Sequence, residues 1–266
     1  MKLPLPSSTT RNVLITSALP YVNNEPHLGN IIGCVLSADC YARYCRLRKY
    51  NVLYVCGTDE YGTATELKAL EEKVPEQALC DKYSAVHKAV YDDFAIEFDV
   101  WGRTSTKHQT DISQSIFKQL QKNGFINQHS MQQLYSTKLN RFFADRYVNG
   151  TCPKCGYADA RGDQCDGCGS LMNANELINP TCKFDDQLVI KDSNHLFFDL
   201  SKLQTKCESF FDQTSKTWTA SSIGITKTWF QGEGLKERCI TRDLKWGTKV
   251  PLEGFEDKVF YGKFPN

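Results

Sequence analysis

The sequence lacks the features that would attach the protein to a membrane or mark it for export. No apolar run approaches the roughly 18 residues that a bilayer-spanning helix needs. The N-terminal stretch MKLPLPSSTTRN has no apolar core of a signal peptide. An excess of one charge is also missing, because 32 Lys and Arg residues face 31 Asp and Glu residues and leave a net charge of +1. This balance argues against nucleic-acid binding by bulk charge alone, although a local basic patch remains open. We expect a soluble, unsecreted protein with no membrane partner.

Two nucleotide-binding signatures are absent as well. Neither G-x-x-x-x-G-K-[ST] nor G-x-G-x-x-G occurs, which excludes a Walker loop and the dinucleotide fingerprint. There is no internal repeat and no low-complexity tract. The composition is 41% hydrophobic, 12% aromatic and 24% charged, which rules out disorder, collagen and coiled coil as the main architecture. At about 150 residues per domain, the 266 residues correspond to a little under two domains.

Cysteine, by contrast, is abundant. A small secreted domain with twelve cysteines would be a disulfide framework, but this chain is long and has no export signal, so we expect a reducing compartment, the cytosol. Eight cysteines lie mostly in apolar contexts typical of reduced, buried thiols. These are Cys34, Cys40, Cys45, Cys56, Cys80, Cys182, Cys207 and Cys239.

The other four cysteines form two C-x-x-C pairs with nine residues between them, Cys152/Cys155 and Cys165/Cys168. Two such hairpins can place four thiolates tetrahedrally around Zn²⁺ at about 2.3 Å. A glycine follows each pair, at Gly156 and Gly169, and permits a turn that points backbone N–H groups at the sulfurs. Four thiolates leave no open coordination position, so the predicted zinc is structural. Two redox pairs or two disulfides are the alternative.

The first half of the chain predicts an α/β fold. A β-branched run at 12–19 reads as a strand, a helix is expected over 31–48, and a second strand over 51–56. This order predicts a βαβ unit with a parallel sheet. Further helices are expected over 64–73, 76–97 and 108–123, and a further strand over 99–103.

After about residue 126 the predicted segments become short and the βα alternation is lost, which indicates an inserted domain. Strands predicted at 238–246 and 258–261 would return the chain to the sheet. The predicted organisation is a lead-in at 1–11, an α/β region with a parallel sheet at 12–125, an inserted domain with the cysteine pairs at 126–236 and a return to the sheet at 237–266.

One candidate site lies between the first strand and the first helix, where the chain reads A-L-P-Y-V-N-N-E-P-H-L-G-N. In an open α/β sheet, ligands bind outside the carboxyl ends of the strands, and a helix N-terminus attracts anions. His27 adds a donor for a phosphate oxygen and Asn30 adds an amide, while Gly29 lets a nucleotide approach the backbone. The alternative is that His27 is an ordinary loop histidine.

A second candidate follows the second strand, in G-T-D-E-Y-G. Asp59 would lie beside the first loop and could hold the ammonium group of an amino acid by a charge-assisted hydrogen bond. The alternative is that Asp59 caps the next helix.

These motifs together resemble the methionyl-tRNA synthetases, class I aminoacyl-tRNA synthetases, and most closely their eukaryotic cytosolic type. The resemblance rests on S-A-L-P-Y-V-N-N…P-H-L-G-N, C-G-T-D-E-Y-G-T, the inserted C-P-K-C-G…C-D-G-C-G and T-R-D-L-K-W-G, and it runs from Asn12 to Tyr261. It implies a Rossmann-like catalytic domain, to which the regions 12–125 and 237–266 correspond, with an inserted connective-peptide domain at 126–236 that carries the zinc knuckle. It also implies methionine–tRNA ligase activity in the cytoplasm: methionine and ATP give methionyl-adenylate, and the methionyl group then passes to tRNA(Met).

The resemblance also assigns roles to residues. Methionine would be bound by Ala18, Leu19, Tyr21 and Asp59; ATP, with Mg²⁺, by Pro20, Tyr21, His27, Gly29 and Asn30; and one structural Zn²⁺ by Cys152, Cys155, Cys165 and Cys168. His27, Asn30 and Arg242 would be catalytic. Partners would be methionine, ATP and tRNA(Met), with a multi-synthetase complex as a further partner.

The sequence departs from the family pattern in three places. The last histidine of H-I-G-H is Asn30, which still donates a hydrogen bond but cannot become cationic. Of a second zinc knuckle only Cys182 remains, so one metal is expected and Cys182 is not a ligand. After K-V-F-Y the chain reads Gly262-Lys263-Phe264-Pro265-Asn266, so we expect a product truncated before the K-M-S-K-S loop and the anticodon-binding domain.

Three functions remain open on these residues. The first is a methionine–tRNA ligase of which this chain holds half the site. The second is a non-catalytic truncated isoform, acting as a zinc-knuckle module that binds tRNA or protein. The third is a nucleotide-binding zinc protein with a different substrate.

Overall fold

The computed structural model describes residues 5–143, 147–162, 164–170, 172–183, 185, 187–232 and 234–261. The first four residues of the predicted lead-in and the segment 262–266 lie outside these ranges. The chain divides into two compact units. One comprises the described part of Met1–Asp111 with Trp246–Thr248, and the other that of Ile112–Lys245 with Lys249–Asn266.

A three-stranded parallel sheet organises the first unit. Its order is β1 (Asn12–Thr16), β2 (Asn51–Thr58), β3 (Val100–Arg103). Val13 is in register with Val52, and Val55 with Val100. These runs form strands because their β-branched side chains suit a pleated, half-buried surface. The predicted α/β class with a parallel sheet is confirmed, although the first strand ends at Thr16 and not at residue 19.

Helices pack against this sheet. The first helical segment starts at Leu28, earlier than predicted, and consists of α1 (Leu28–Asn30), a π-helical stretch (Ile31–Leu36) and α2 (Ser37–Leu47). Two more helices follow, α3 (Thr63–Glu72) and α4 (Glu76–Asp93). The buried core between helices and sheet includes Ile15, Val35, Ala42, Cys45, Val52, Tyr54, Cys56, Tyr91 and Ile96. Burial of these side chains is the main favourable term for this unit.

The prediction that the fourth helix reaches residue 97 is wrong. Helix α4 ends at Asp93, and Ala95 takes a left-handed conformation with φ 53°. The N–H of Ile96 then bonds to the carbonyl of Tyr91 at 3.0 Å, which closes the helix end. Because alanine occupies the position where glycine normally signals a helix end, the pattern did not reveal it.

The second unit is built around a four-stranded antiparallel sheet. In order, its strands are β10 (Arg238–Cys239), β9 (Leu188–Phe198), β4 (Ile126–Ser136) and β5 (Arg141–Phe142). The long strands β4 and β9 pair from Ile126↔Phe198 to Ser136↔Leu188. The prediction of short segments after residue 126 is therefore wrong for these strands. Helix α5 (Lys107–Lys122) brings Phe117 into a core with Leu196, Ile240, Val250, Phe255 and Phe260.

The strands predicted to return to the parallel sheet do not do so within the described residues. In place of a strand over 238–246 there are β10 (Arg238–Cys239), which pairs with β9, and β11 (Thr241–Arg242), which pairs with β12 (Val259–Phe260). The strand ends before Asp243 because that carboxylate turns to a cluster with His195, 2.9 Å away, and Lys258.

The remaining elements of the second unit are short strands and two helices. They are β5 (Arg141–Phe142), β6 (Val148–Thr151), β7 (Ala160–Arg161), β8 (Ile178–Cys182), α6 (Gln204–Thr214) and α7 (Ala220–Phe230). Strands β7, β6 and β8 form a separate small sheet in that order. Within the described ranges, no helix has both the length and the apolar character that crossing a membrane requires.

Candidate active site and metal centre

His27 begins the first helical segment as its N-cap. Its Nδ1 accepts hydrogen bonds from the backbone N–H groups of Gly29 (3.0 Å) and Asn30 (3.3 Å). In return, the Asn30 side-chain oxygen accepts from the His27 N–H at 3.2 Å. This reciprocal pair is a capping box made from a histidine and an asparagine. Since Nδ1 is an acceptor here, we infer that a neutral His27 carries its proton on Nε2.

Gly29 is needed by this cap. A Cβ atom at position 29 would lie 2.8 Å from Cε1 of the His27 ring, too close for any real side chain. The glycine therefore makes room for the histidine that precedes it, in addition to any room it leaves for a ligand. His27 itself is exposed, so its Nε2 side remains open to solvent.

The two predicted loops meet at the carboxyl ends of β1 and β2. Tyr21 and Asp59 form a parallel bridge, and the N–H of Asp59 donates to the carbonyl of Pro20 at 2.9 Å. Helix α3 begins at Thr63 with Gly62 as its N-cap. Asp59 is therefore not the N-cap of that helix, so the alternative that Asp59 caps the next helix is wrong.

The residues predicted to bind methionine flank this bridge. Ala18 and Leu19 are exposed, Tyr21 is exposed and Pro20 is buried. The carbonyl of Ala18 accepts from the Cys34 thiol at 3.5 Å, which ties this loop to the π-helical stretch. Leu19 and Tyr21 thus expose apolar surface on the loop whose backbone pairs with Asp59, while their binding roles stay predictions.

Sequence reasoning missed two buried side chains that hold the predicted loops, Glu60 and His87. Glu60 is completely buried and pairs with Arg103 on β3, whose Nε lies 2.6 Å from Oε1. His87 on α4 is also buried, and its Nε2 lies 2.9 Å from the carbonyl oxygen of Asn24, in the loop that leads to His27. The sequence shows that a glutamate follows Asp59, but it does not show that this side chain is buried. Nothing in the sequence connects residues 24 and 87.

Arg242 belongs to the second unit. Its Nη1 donates to the carbonyl of Thr241 at 2.8 Å, and its guanidinium lies 4.2 Å from the centre of the Tyr261 ring. The half-buried guanidinium is thus held by a cation–π contact. Its catalytic role stays a prediction.

The four predicted metal ligands come together in the second unit. Their sulfur atoms all lie within 4.8 Å of one another, with Cys152 and Cys168 at 4.0 Å and Cys155 and Cys165 at 3.7 Å. These separations match the edge of about 3.8 Å that a tetrahedron with 2.3 Å Zn–S bonds has. They are far longer than the roughly 2 Å of a disulfide bond, so the disulfide alternative is excluded in this structure.

The knuckle backbone supports this arrangement. Gly156 and Gly169 have φ of 75° and 70°, and their N–H groups close each turn onto the carbonyls of Cys152 (3.0 Å) and Cys165 (2.8 Å). The hydroxyl and backbone N–H of Ser170 lower the pKa of Cys168 to about 6. Burial opposes ionisation of Cys152, but the N–H groups of Cys155 and Lys154 lower its pKa below the ordinary value. Such donors favour the thiolate form that binds metals at Cys152 and Cys168. At Cys155 the backbone N–H of Tyr157 lowers the pKa, but burial and hydrogen bonds with the other three thiols raise it to about 12.

Comparison with known proteins places these features in a family. The family model described as tRNA synthetases class I (M) matches residues 13–264. The chain belongs to this family. It is 59% identical over 262 residues to the probable cytoplasmic methionine–tRNA ligase of Dictyostelium discoideum and 60% identical over 260 residues to the cytoplasmic methionine–tRNA ligase of Homo sapiens. These matches cover 97% of this chain but 36% and 29% of those relatives, so the chain spans about a third of their length. The resemblance to the eukaryotic cytosolic type is confirmed.

A solved structure supports the fold. The methionyl-tRNA synthetase of Mycobacterium tuberculosis in complex with methionyl-adenylate superposes with a TM-score of 0.71 at 23% identity. The superposition covers 95% of this chain and 44% of that one. The shared fold therefore extends into the second unit.

Proposed function

We propose that this chain carries the amino-acid-activating site of a cytoplasmic methionine–tRNA ligase. The observation that carries the proposal is the pairing of Tyr21 with Asp59, because it brings the His27 loop and the carboxylate loop to the same edge of the sheet. The names of the relatives, cytoplasmic methionine–tRNA ligases, agree with it.

In this proposal, Asp59 holds the ammonium group of methionine. A carboxylate and an ammonium group form a charge-assisted hydrogen bond, which fixes the amino acid in one orientation. Ala18, Leu19 and Tyr21 would contact the methionine side chain beside it. A missing methylene in such an apolar pocket changes binding by only about 1–3 kcal/mol, so selectivity depends on a close fit.

His27, Gly29 and Asn30 would act on ATP, which enters with Mg²⁺ as substrate, and Pro20 and Tyr21 would flank it. A carboxylate oxygen of methionine attacks the α-phosphorus, one P–O bond forms, and the bond to the pyrophosphate oxygen breaks. Charge grows on the phosphate oxygens in this step. With Nδ1 occupied by the cap, the Nε2–H of His27 is free to donate to one of those oxygens, which is preorganised electrostatic stabilisation.

The remaining assignments belong to the whole ligase. Transfer of the methionyl group to tRNA(Met) agrees with the names of the relatives. A catalytic contribution from Arg242 and membership of a multi-synthetase complex are further parts of the proposal, carried over from the family resemblance. The domain boundaries predicted from the sequence likewise remain a proposal.

The proposed metal is one structural Zn²⁺ on Cys152, Cys155, Cys165 and Cys168. Four sulfur donors at tetrahedral separations fit this ion. When bound, zinc would cross-link the two turns. It would not act on the substrate, because protein ligands fill all four coordination positions.

A thermal-shift titration tests the proposed activity. A ligand that binds only the folded state raises the melting temperature. Methionine and ATP are each expected to raise it, whereas leucine is not. An equal response to leucine, or no response to methionine, would contradict the proposal.

A further inference from the structure

The residue that follows Asp59 is a carboxylate that solvent does not reach. Glu60 is 0% exposed. Its Oε1 accepts from the Thr58 hydroxyl at 2.8 Å and from Nε of Arg103 at 2.6 Å, and its Oε2 accepts from the Ser105 hydroxyl. A buried carboxylate is unfavourable unless it is paired and hydrogen-bonded, and Glu60 meets both conditions.

The counter-ion is itself held in place. Arg103 lies on β3, in register with Thr58 on β2, and its Nη2 reaches Oδ1 of Asp81 on α4 at 2.7 Å. The guanidinium thus bridges two carboxylates from different elements. Its planar fork suits two such contacts at once, which a lysine would not reproduce.

The backbone of Glu60 is fixed as firmly as its side chain. Its N–H donates to the Thr104 hydroxyl at 2.9 Å, and its carbonyl accepts from the indole N–H of Trp246 at 2.6 Å. On the other side of Asp59, the carbonyl of Thr58 accepts from the N–H of Thr104 at 3.2 Å. Both neighbours of Asp59 are therefore immobilised, and its own N–H bonds to Pro20.

This arrangement does not serve to start a helix, since α3 begins three residues later with Gly62 as its N-cap. What it fixes is the peptide on either side of Asp59, a half-buried carboxylate at the edge of the candidate site. We propose that Glu60 is a positioning residue, which sets Asp59 to receive the amino group of the substrate through its bonds to Thr58, Arg103 and Trp246. The inference rests on the proposed function, because it requires Asp59 to bind an ammonium group.

The test compares two ligands that differ only in that group, methionine and γ-methylthiobutyrate, which is methionine without its amino group. Their dissociation constants are measured by titration calorimetry for the wild type, Asp59→Asn and Glu60→Gln, together with that of ATP. The control is Glu72→Gln. It removes the charge of a carboxylate in the same unit that pairs with Lys82 at 2.8 Å. Glu72 is not among the hydrogen-bond partners of Glu60 described above.

The wild type is expected to prefer methionine strongly. Glu60→Gln should reduce that preference by about tenfold or more, as loss of a charged group's hydrogen bond implies, and change ATP binding by less than about twofold. Glu72→Gln should change neither. A merely structural role of Glu60 would weaken both amino-acid ligands and ATP together, and that result would overturn the inference.

The Asp59→Asn variant distinguishes a failure of the proposed role of Asp59 from a failure of the proposed role of Glu60. If Asp59→Asn retains the preference for methionine, the role of Asp59 is wrong and the inference falls with it. If Asp59→Asn loses the preference but Glu60→Gln keeps it, only the inference is overturned.

A second pair of variants covers the case in which Glu60→Gln does not fold. Trp246→Phe removes the indole donor but keeps an aromatic ring against Tyr61, whose ring centre lies 5.3 Å from that of Trp246. Arg103→Lys keeps the charge without the fork. Each should reduce the preference in the same direction, and full retention in both would overturn the inference.

Discussion

The first unit and the zinc knuckle of the second unit obtain their structure by different physical means. In the first, a parallel sheet is covered by helices, and large side chains such as Tyr54, Tyr91 and Ile96 are almost completely buried. In the knuckle of the second, strands β6 and β7 have four and two residues, and Cys152 and Cys165 are among its buried side chains. A hydrophobic core specifies the first region, whereas the knuckle depends on its sulfur ligands, as small metal domains do.

Two buried histidines extend the comparison. On α4, burial lowers the pKa of His87, and the hydrogen bond to the Asn24 carbonyl opposes that shift only in part. On β9, burial would also lower the pKa of His195, but Asp243 and Cys239 overcome it and raise the pKa. The same side chain is therefore neutral among neutral partners in the first unit and favours its charged form beside a carboxylate in the second.

The strongest test of the comparison is Cys152→Ser. We expect loss of the bound zinc and unfolding of the segment around β6, β7 and β8, because structural zinc contributes on the order of 10 kcal/mol to such motifs. Zinc content by atomic emission and amide hydrogen exchange check this, and exchange in the first unit should not change. Cys182→Ser is the control and should keep its metal. Full zinc occupancy in Cys152→Ser would refute the ligand assignment.

In the first unit, Asp59→Ala should act on ligand binding and leave the fold intact. Loss of a hydrogen bond to a charged group costs about 1.5–3 kcal/mol, so methionine binding should weaken by roughly 10- to 100-fold. ATP binding should weaken less. Titration calorimetry measures both, and an equal loss for the two ligands would indicate a structural role for Asp59.

Acid should affect the second unit through Asp243. Burial opposes ionisation of this carboxyl, but hydrogen bonds from His195, Lys258 and Ser193 lower its pKa to about 2. Because the folded pKa lies below the unfolded value, the stabilisation is present above about pH 4 and is lost as pH falls through 2. It amounts to roughly 2 kcal/mol. Urea unfolding of wild type and Asp243→Asn should differ by this amount at neutral pH and converge in acid; a constant difference would contradict the assignment.

The smallest effect concerns the histidines. The lowered pKa of His87 means that the unfolded state binds the proton first, so stability falls as pH drops below about 6.5. The raised pKa of His195 has the opposite sign: its stabilisation is present below about 6.5 and is lost as pH rises through the folded value. Titration by NMR should find His87 below and His195 above that value. The reverse order would contradict the effects of the neighbouring groups on both histidines.

Part of the fold could be predicted because it follows from local patterns. Strands β1 and β2 are compact β-branched runs, and the four cysteines have a spacing that few other sites share. The long strands β4 and β9 escaped prediction because each is interrupted by a polar run, at 127–130 and 191–195, so no apolar alternation marked their full length. The end of α4 escaped because alanine occupies a left-handed position there.

The candidate site shows the same limit. His27 and Asp59 could be predicted since each follows a strand, and strand ends meet at one edge of a sheet. Glu60 could not be recognised as buried, because its partner Arg103 lies 43 residues away and a glutamate in a loop is normally exposed. The Asn24–His87 contact spans 63 residues and has no sequence signature.

The most direct test is a crystal structure of the protein with a non-hydrolysable analogue of methionyl-adenylate. We expect the amino group of the analogue to lie within hydrogen-bonding distance of Asp59, and its phosphate position to face Nε2 of His27. An analogue that binds away from the Tyr21–Asp59 bridge, or with its amino group turned away from Asp59, would contradict it.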